Sequence, residues 1–380
     1  MQTYTPHPLI LSDYLDPPLL TLLSLASTPQ TSPPPLTPLL LLLANRHGLT
    51  PRCYTHLPST STPLYRQLRQ DYHHIAHYNM LLSSQLLRIV ARLHASHIPL
   101  LILKGAPLAQ IAYGDITLRQ YGDIDLLVES TSLLRVAHEL ITLGYHSDTP
   151  ITLLHNPTCL AVESDVTFRH PNGVTIELHW RLFREKIAKH PTFSQLYQTH
   201  TLISLQQRAI PILSTEIHLV YLCLHGGKHA WERIAWIYDL DQLIRSHPTL
   251  DWEKAEAFAK EIEAQRSVWV GLALTHHLFG TPLPPSIPYD QTTHTLIQET
   301  LTLLNSPTLH HHSYRRYYTI QRYQRRLLPT QRAKLLHLYS TYFAISRNDC
   351  HTLLLPSSLR FLYLLIKPFR VITKYLRYRR

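Results

Sequence analysis

The sequence predicts an α+β protein in which a small mixed sheet is flanked by helices, inside a chain that is otherwise mostly helical. Apolar residues recur at helical spacing over residues 63–97 and again from about residue 181 onward, which is typical of helices packed on a core. Between them lie short apolar or alternating runs, two of which flank the turn His170–Gly173 (HPNG) and predict a hairpin. The predicted strands span residues 99–103, 124–128, 160–169 and 174–179.

Prolines and glycines, which interrupt helices, set the bounds of the other predicted helices. Residues 1–62 combine short leucine clusters with many prolines, which predicts short helices separated by loops. A short helix is predicted at residues 106–113 between the first two strands. The next helix covers about residues 131–142 and ends at Gly144, because glycine readily leaves the helical conformation.

Composition excludes several classes of protein. The chain has 380 residues, 44% hydrophobic and 16% charged, so it can form two or three compact domains and is not disordered. Its glycines form neither GxGxxG nor GxxxxGK[ST], which argues against a Rossmann dinucleotide site and a P-loop. Four widely spaced cysteines without a CxxC pair argue against a disulfide scaffold and fit a cytoplasmic setting. Apolar runs are short, as in residues 39–44, so we expect neither a signal peptide nor a transmembrane segment.

Two acidic residues identify a candidate metal-binding segment. Asp123 and Asp125 lie two residues apart on a predicted strand, so both carboxylates project from one face while Ile124 and Leu126 pack into the core. Carboxylate oxygens at this spacing suit Mg²⁺, which prefers oxygen ligands and keeps substrate phosphates among them. Two such ions can activate an attacking oxygen and stabilise a leaving pyrophosphate.

A third carboxylate is expected from a neighbouring strand. In residues 174–179 the apolar side chains face one way, so Glu177 projects from the opposite face, together with His179. Asp165 on the preceding strand is the alternative, because the hairpin brings it within reach. We favour Glu177 as the third acid.

Arg119 is a candidate phosphate ligand. It lies four residues before Asp123, in the loop that enters the strand, where a guanidinium suits a phosphate clamp. The alternative is an ion pair with Asp115, Asp123 or Glu177.

A second basic group falls on one helical turn. His225, Lys228 and His229 are spaced i, i+3 and i+4, so Lys228 and a histidine such as His229 can reach the nucleotide or the acceptor. The alternative is ordinary helix packing, and neither a HExxH glutamate nor a third nearby ligand supports a zinc site. Asp239 is expected to pair with one of these cations or with Arg233.

These motifs together resemble the nucleotidyltransferase core of the DNA polymerase β superfamily. More closely, the chain resembles an uncharacterised bacterial nucleotidyltransferase family whose pattern is LKG, then R followed by (G/S)DIDLLV, then (E/D)LHW. The matching residues are Lys104, Gly105, Arg119, Asp123, Asp125, Glu177–Trp180 and the later His225–His229. The resemblance covers roughly residues 30–380.

The resemblance implies a polymerase β-like core in which Asp123, Asp125 and Glu177 bind metal and carry catalysis. One departure concerns the turn after the first strand, where polymerase β-like enzymes usually have Gly-Ser and this chain has Lys104-Gly105-Ala106, with no hydroxyl. Lys104 can supply charge to the triphosphate instead, and Gly105 lets backbone N–H groups approach it.

The expected activity is a Mg²⁺-dependent transfer of a nucleoside monophosphate from an NTP, expected to be ATP, with release of pyrophosphate. The acceptor is a protein, an RNA or a small molecule. Two alternatives stay open: a catalytically inactive nucleotide- or RNA-binding module, which the missing serine would favour, and a scaffold in a surface-polysaccharide or peptide-modification pathway.

Four regions are expected along the chain. They are an N-terminal helical region (1–97), the nucleotidyltransferase core (98–200), a helical domain (201–300) and a basic helical C-terminal region (301–380).

The positive charge is concentrated at the C-terminal end. The formal net charge is +11, and residues 311–380 contain 15 Lys and Arg but one acidic residue. This predicts an anionic partner, either RNA bound by charge and stacking or an anionic membrane surface reached by a helix within residues 353–376. The expected location is therefore cytoplasmic or peripheral at the membrane. The alternative is a helical face that stays solvated.

Overall fold

A computed structural model describes residues 9–342, apart from residues 31, 33, 184–189, 284–287, 289 and 306–313, together with residue 362. Within these residues, short N-terminal helices and one long helix precede a mixed sheet, and further helices follow it. The helices are α1 (Pro17–Ser27), α2 (Pro38–His47), α3 (Thr50–His56), α4 (Pro63–Ala95), α5 (Ala106–Tyr113), α6 (Leu133–Thr142), α7 (Pro157–Val162), α8 (Phe193–Gln198), α9 (Thr215–Lys228), α10 (Ile234–Ser246), α11 (Trp252–Glu261), α12 (Gln265–Phe279), α13 (Gln291–Asn305), α14 (Tyr314–Leu327) and α15 (Gln331–Tyr342).

Seven strands form one mixed sheet in the described part of the chain. They are β1 (Leu100–Ile102), β2 (Ile124–Val128), β3 (His146–Ser147), β4 (Asp165–Arg169), β5 (Thr175–His179), β6 (Thr201–Leu205) and β7 (Arg208–Ile212). Their order in the sheet is β3-β4-β5-β2-β1-β7-β6. The central strand β2 pairs antiparallel with β1 and parallel with β5, and β4 and β5 form the predicted hairpin. The α+β class, with a small mixed sheet in a mostly helical chain, is confirmed.

Two strand predictions need correction. The strand predicted at residues 160–169 begins only at Asp165, because Pro157 opens the short helix α7, which continues to Val162. Residues 201–212, predicted to be helical, form the hairpin β6–β7 instead. Its two-residue turn places Gln206 and Gln207 at φ +48° and +62°, the left-handed conformation that a tight hairpin turn requires.

The long helix α4 has the predicted position and a clear physical basis. Thr62 caps its N-terminus by accepting a hydrogen bond from the backbone N–H of Tyr65, and Pro63 occupies the first turn. Leu82, Leu86 and other apolar side chains at helical spacing are buried. This face of α4 covers one side of the sheet.

The alternation of side chains along the strands separates two cores. Leu126 and Leu178 face the core formed with α4 and α6, whereas Leu127 faces the opposite core, formed with the later helices α9, α10 and α12. Asp125 lies two residues before Leu127 on the same strand, so its side chain faces the same side of the sheet as Leu127. Apolar packing on that side stops where β2 and β5 carry polar residues, which leaves a cleft between the sheet and α9–α10.

The sheet extends beyond residue 200, where the predicted core region ends, because β6 and β7 join it through β1. The division into four regions stays a prediction. Among the residues described, no helix combines the length and the apolar character needed to cross a membrane.

Part of the basic C-terminal segment packs on the rest of the protein. In α14, Arg316 pairs with Glu232, and both Arg322 and Arg326 pair with Glu299. Tyr323 is fully buried and shares a hydrogen bond of 2.8 Å with the Thr300 hydroxyl. α14 therefore packs on the rest of the protein through a buried tyrosine and ion pairs, while the anionic partner of the basic segment stays a prediction. The membrane-surface helix predicted within residues 353–376 lies outside the described residues, except for residue 362.

Candidate active site

The register of two parallel strands brings two predicted acids together. Strand β2 pairs with β5 so that Asp125 lies opposite Glu177 and Leu127 lies opposite His179. Both acids project into the cleft because their apolar neighbours, Leu126 and Leu178, fill the core on the other face. The Asp125 side chain is only 1% exposed, whereas that of Glu177 is 38% exposed.

His179 completes a compact group with these acids. Its Nε2 lies 3.3 Å from Asp125 Oδ1 and 3.5 Å from Glu177 Oε2. One ligand atom from each of the three residues lies within 4.8 Å of the others. Two carboxylates and an imidazole at such separations can share one divalent cation, and the two carboxylates are the oxygen ligands that suit the predicted Mg²⁺.

Asp123 lies on the same face, two residues before Asp125, and is half-buried. The negative charge of Asp125 and then burial raise the pKa of the Asp123 carboxyl to about 6. Asp165, the alternative third acid, also lines the cleft, and it lies opposite His179 in the β4–β5 pairing. Among the described residues, however, the compact group contains Glu177 and contains neither Asp123 nor Asp165.

Lys104 forms an ion pair with Asp125. Its Nζ lies 3.3 Å from Asp125 Oδ2, and its side chain is 12% exposed. Burial alone would lower the pKa of Lys104, but Asp125 raises it above its usual range, so the ammonium stays charged. Burial likewise raises the pKa of Asp125, but Lys104 and the hydrogen bond with His179 outweigh it and hold that pKa below its usual range.

His179 responds to the same carboxylates. Burial lowers its pKa, but the hydrogen bonds with Asp125 and Glu177 outweigh burial and raise the pKa to about 9. The carboxylates thus hold a proton on His179 when no metal is bound. A divalent cation among the three side chains would replace that positive charge, since metal ligands must be deprotonated.

Gly105 shapes the turn but does not belong to the described lining of the cleft. It adopts φ +69° and ψ −137° at the start of α5, a conformation that residues with a side chain rarely adopt. The chain can therefore turn sharply from Lys104 into the helix. This is the structural reason for glycine in the Lys104-Gly105 turn.

Arg119 has a partner that differs from each of those considered from the sequence. Its Nε and Nη2 donate to the two carboxylate oxygens of Asp239 at 2.8 and 2.9 Å, and Tyr113 donates to the same carboxylate at 2.7 Å. Asp115 instead accepts hydrogen bonds from Thr117. The expected pairing of Asp239 with a cation of the His225–His229 turn or with Arg233 is wrong for the same reason. Arg119 nevertheless lines the cleft, and its Nη1 is buried without a hydrogen-bond partner.

Helices α9 and α10 form the wall opposite the acids. His225 on α9 and His229, the residue that follows α9, pack against the Trp236 ring of α10, with ring centroids 5.3 and 5.1 Å from that of Trp236. Burial, and then the charge of Lys228, lowers the pKa of His229 to about 3, so this ring is neutral. His229 can therefore offer a neutral hydrogen bond, and the positive charge on this wall comes from Lys228 and Arg233.

The cleft has a volume of about 440 Å³. The predicted residues that line it are Lys104, Arg119, Asp123, Asp125, Glu177, Lys228 and His229. His179 was not predicted as a site residue, although its position two residues after Glu177 on the same strand face is a signal in the sequence. The structure brings these residues together around one cavity, while their roles in catalysis stay predictions.

Comparison with known proteins identifies a matching sequence family. Residues 37–280 match a family model described as uncharacterised nucleotidyltransferase. Among curated proteins, none is similar enough in sequence to match.

Three solved structures show limited similarity. The antibiotic-resistance factor ANT(2'')-Ia is 14% identical, with a TM-score of 0.37 over 52% of this chain and 98% of its own. The lincosamide antibiotic adenylyltransferase LnuA is 16% identical, with a TM-score of 0.32 over 42% of this chain and 94% of its own. An antigenic nucleotidyltransferase-like protein from Paracoccidioides brasiliensis is 13% identical, with a TM-score of 0.31 over 56% of this chain and 96% of its own.

Proposed function

The chain belongs to the uncharacterised nucleotidyltransferase family, and we propose that it transfers a nucleoside monophosphate from an NTP, with ATP the expected donor, to an acceptor hydroxyl. An acceptor oxygen attacks the α-phosphorus, the bond between the α-phosphorus and the bridging oxygen breaks, and pyrophosphate leaves with the electron pair. The acceptor's proton is lost in the same reaction.

One observation supports this proposal more than any other. Asp125 and Glu177 lie directly opposite each other on parallel strands and line a cavity of about 440 Å³, with the Lys104 ammonium beside Asp125. Clustered carboxylates repel phosphates unless a cation lies between them, so a site that only bound nucleotide would gain nothing from them. This arrangement therefore favours catalysis over the alternative of an inactive binding module.

Basic side chains around the acids suit the triphosphate. Lys104 at the turn after β1 and Lys228 on α9 place positive charge on two sides of the cleft. The buried Nη1 of Arg119 is free to donate to a phosphate oxygen, while Asp239 holds the rest of the guanidinium in place. Gly105 would let backbone N–H groups approach the phosphates, and His229 would donate a neutral hydrogen bond. These groups would stabilise charge that develops on the leaving pyrophosphate.

The proposed metal is Mg²⁺. When bound, it polarises phosphate oxygens and makes a hydroxyl more acidic. Asp125 and Glu177 would hold it, with Asp123 adjoining them on the same strand face. Glu177 is the most solvent-accessible member of the compact group, which suits it to take the proton of an acceptor that enters from solvent.

Radiolabelled nucleotides test the proposal directly. The full-length protein is incubated with a cell extract, Mg²⁺ and each NTP, labelled either at the α- or at the γ-phosphate. We expect label in an acceptor from an α-labelled NTP and none from the γ-labelled form, with pyrophosphate released in equal amount. Sensitivity of the labelled product to protease or ribonuclease then distinguishes a protein, an RNA or a small molecule. Transfer of the γ-label, or tight NTP binding without pyrophosphate release, would contradict the proposal.

A further inference from the structure

The two oxygens of Asp125 face different partners. Oδ1 lies 3.3 Å from His179 Nε2, on the side of Glu177. Oδ2 lies 3.3 Å from Lys104 Nζ, on the side of the turn after β1. The carboxylate is 1% exposed, so neither oxygen is solvated in the usual way and each depends on a positive partner.

The Oδ1 side offers three potential ligand atoms to a divalent ion. Neighbouring ligands of an octahedral ion with bonds of about 2.1 Å are roughly 3 Å apart. The separations of 3.3 and 3.5 Å from His179 Nε2 to the two carboxylates are close to that value. All three ligand atoms lie within 4.8 Å of one another, so side-chain movements would bring them around one ion.

The Oδ2 side faces a cation. Lys104 lies two residues after the end of β1, its side chain is only 12% exposed, and its Nζ is 3.3 Å from Oδ2. A divalent ion bound to Oδ2 would lie within a few ångströms of this ammonium, in a poorly solvated place where like charges repel strongly. A second ion that bridges Asp125 would therefore have to displace Lys104.

We propose that the cleft holds one divalent ion, bound by Asp125, Glu177 and His179, and that the Lys104 ammonium takes the place of a second ion on Asp125. This inference rests on the proposed function, because it assigns the positive charges that the transfer needs. Lys104 would then contact both Asp125 and the phosphates of the NTP. The ion on the other side would contact the α-phosphate and the acceptor.

Manganese binding to the full-length protein tests this inference without relying on activity. Mn²⁺ is titrated into the protein with saturating α,β-methylene-ATP, which does not release pyrophosphate. The bound ion is counted by electron paramagnetic resonance, with correction for Mn²⁺ bound by the analogue in protein-free buffer. We expect one Mn²⁺ per chain, with hyperfine coupling to an imidazole nitrogen that is lost in His179→Gln.

The variant Lys104→Ala is expected to gain a second metal-binding position. Removal of the ammonium frees Asp125 Oδ2, so we expect two Mn²⁺ per chain and magnetic coupling between them. Lys254→Ala is the matched control, because Lys254 lies on α11 and pairs with Glu216 outside the cleft. It should bind one ion, as the wild type does.

The outcomes separate this inference from the proposed function. Two ions in the wild type, no bound ion, absence of nitrogen coupling, or a single ion in a folded Lys104→Ala would overturn the inference. The wild-type count decides the matter even if Lys104→Ala does not fold. If the wild type binds two ions and still releases pyrophosphate, the proposed function stands. If it binds one ion but transfers no nucleotide in the labelling experiment, the proposed function fails instead.

Discussion

At the residue scale, two histidines link folding to pH. His47 on α2 and His218 on α9 are fully buried. Burial, and then nearby arginine charge, lowers the pKa of each ring to about 3 from the ordinary value of 6.5. The folded protein therefore keeps both rings neutral between pH 6.5 and 3, while the unfolded chain takes up a proton at each. Stability is lost as the pH falls through this range.

His218→Gln isolates this effect from that of other titrating groups. The wild type should lose about 2 kcal/mol of unfolding free energy through His218 between pH 7.5 and 5, and the variant should not. Asp123, whose pKa is raised to about 6, opposes this trend equally in both proteins and cancels in the comparison. Urea unfolding measures this at each pH. The difference in unfolding free energy between wild type and variant should be about 2 kcal/mol smaller at pH 5 than at pH 7.5. If the difference in unfolding free energy between wild type and variant is the same at both pH values, the assignment is contradicted.

Local sequence patterns predict some residues of the cleft but not all of them. The period of two along a strand places Asp125 and Glu177 on one face, and the structure agrees. His179 follows the same rule, but a chain with 27 histidines gives little reason to single it out. The partner of Arg119 lies 120 residues further along, on α10, and such a contact depends on how α10 packs, which no local pattern encodes.

At the element scale, helix α9 depends on a glycine for its packing. A Cβ built on Gly226 would lie 2.3 Å from ring carbons of Trp231. Trp231 is fully buried, and its backbone is held at φ +55°. The glycine thus lets the indole lie directly against α9, at the helical turn that carries His225 and Lys228 into the cleft.

Gly226→Ala distinguishes helix propensity from packing. Propensity alone favours alanine by about 1 kcal/mol in a helix, whereas overpacking against Trp231 costs about 1–3 kcal/mol or more. We expect a net loss of stability in thermal or urea unfolding. Gly122→Ala is the control, because its Cβ meets no atom within 4 Å, and it should change stability little. A Gly226→Ala variant as stable as the wild type would show that Trp231 has room to move.

The elements differ in how far the sequence predicts them. Helix α4 is long and strongly periodic, so its observed span Pro63–Ala95 nearly equals the predicted one. The hairpin β6–β7 is only weakly indicated by the sequence. Its strands have five residues each, too few for a clear alternation of apolar and polar side chains, and its turn lacks glycine. Its place in the sheet depends on pairing with β1, a contact between segments about 110 residues apart.

At the scale of the whole molecule, the cleft lies at the seam between two cores. One core fills the space between the sheet and α4 and α6, and the other joins the sheet to α9, α10 and α12. Asp125 and Glu177 come from the sheet, while Lys228 is the last residue of α9 and His229 follows it. Family membership and the class of fold could be recognised from the sequence, but this arrangement of two walls required the structure.

The central claim is that Asp125 organises a nucleotidyl transfer site. Pyrophosphate release from the NTP that labels the acceptor should fall on the order of 100-fold or more in Asp125→Asn, because the amide cannot hold a cation as the carboxylate does. Asp148→Asn is the control, since Asp148 pairs with Arg169 on the protein surface. It should retain wild-type activity. An Asp125→Asn protein that folds and releases pyrophosphate at the wild-type rate would contradict the claim.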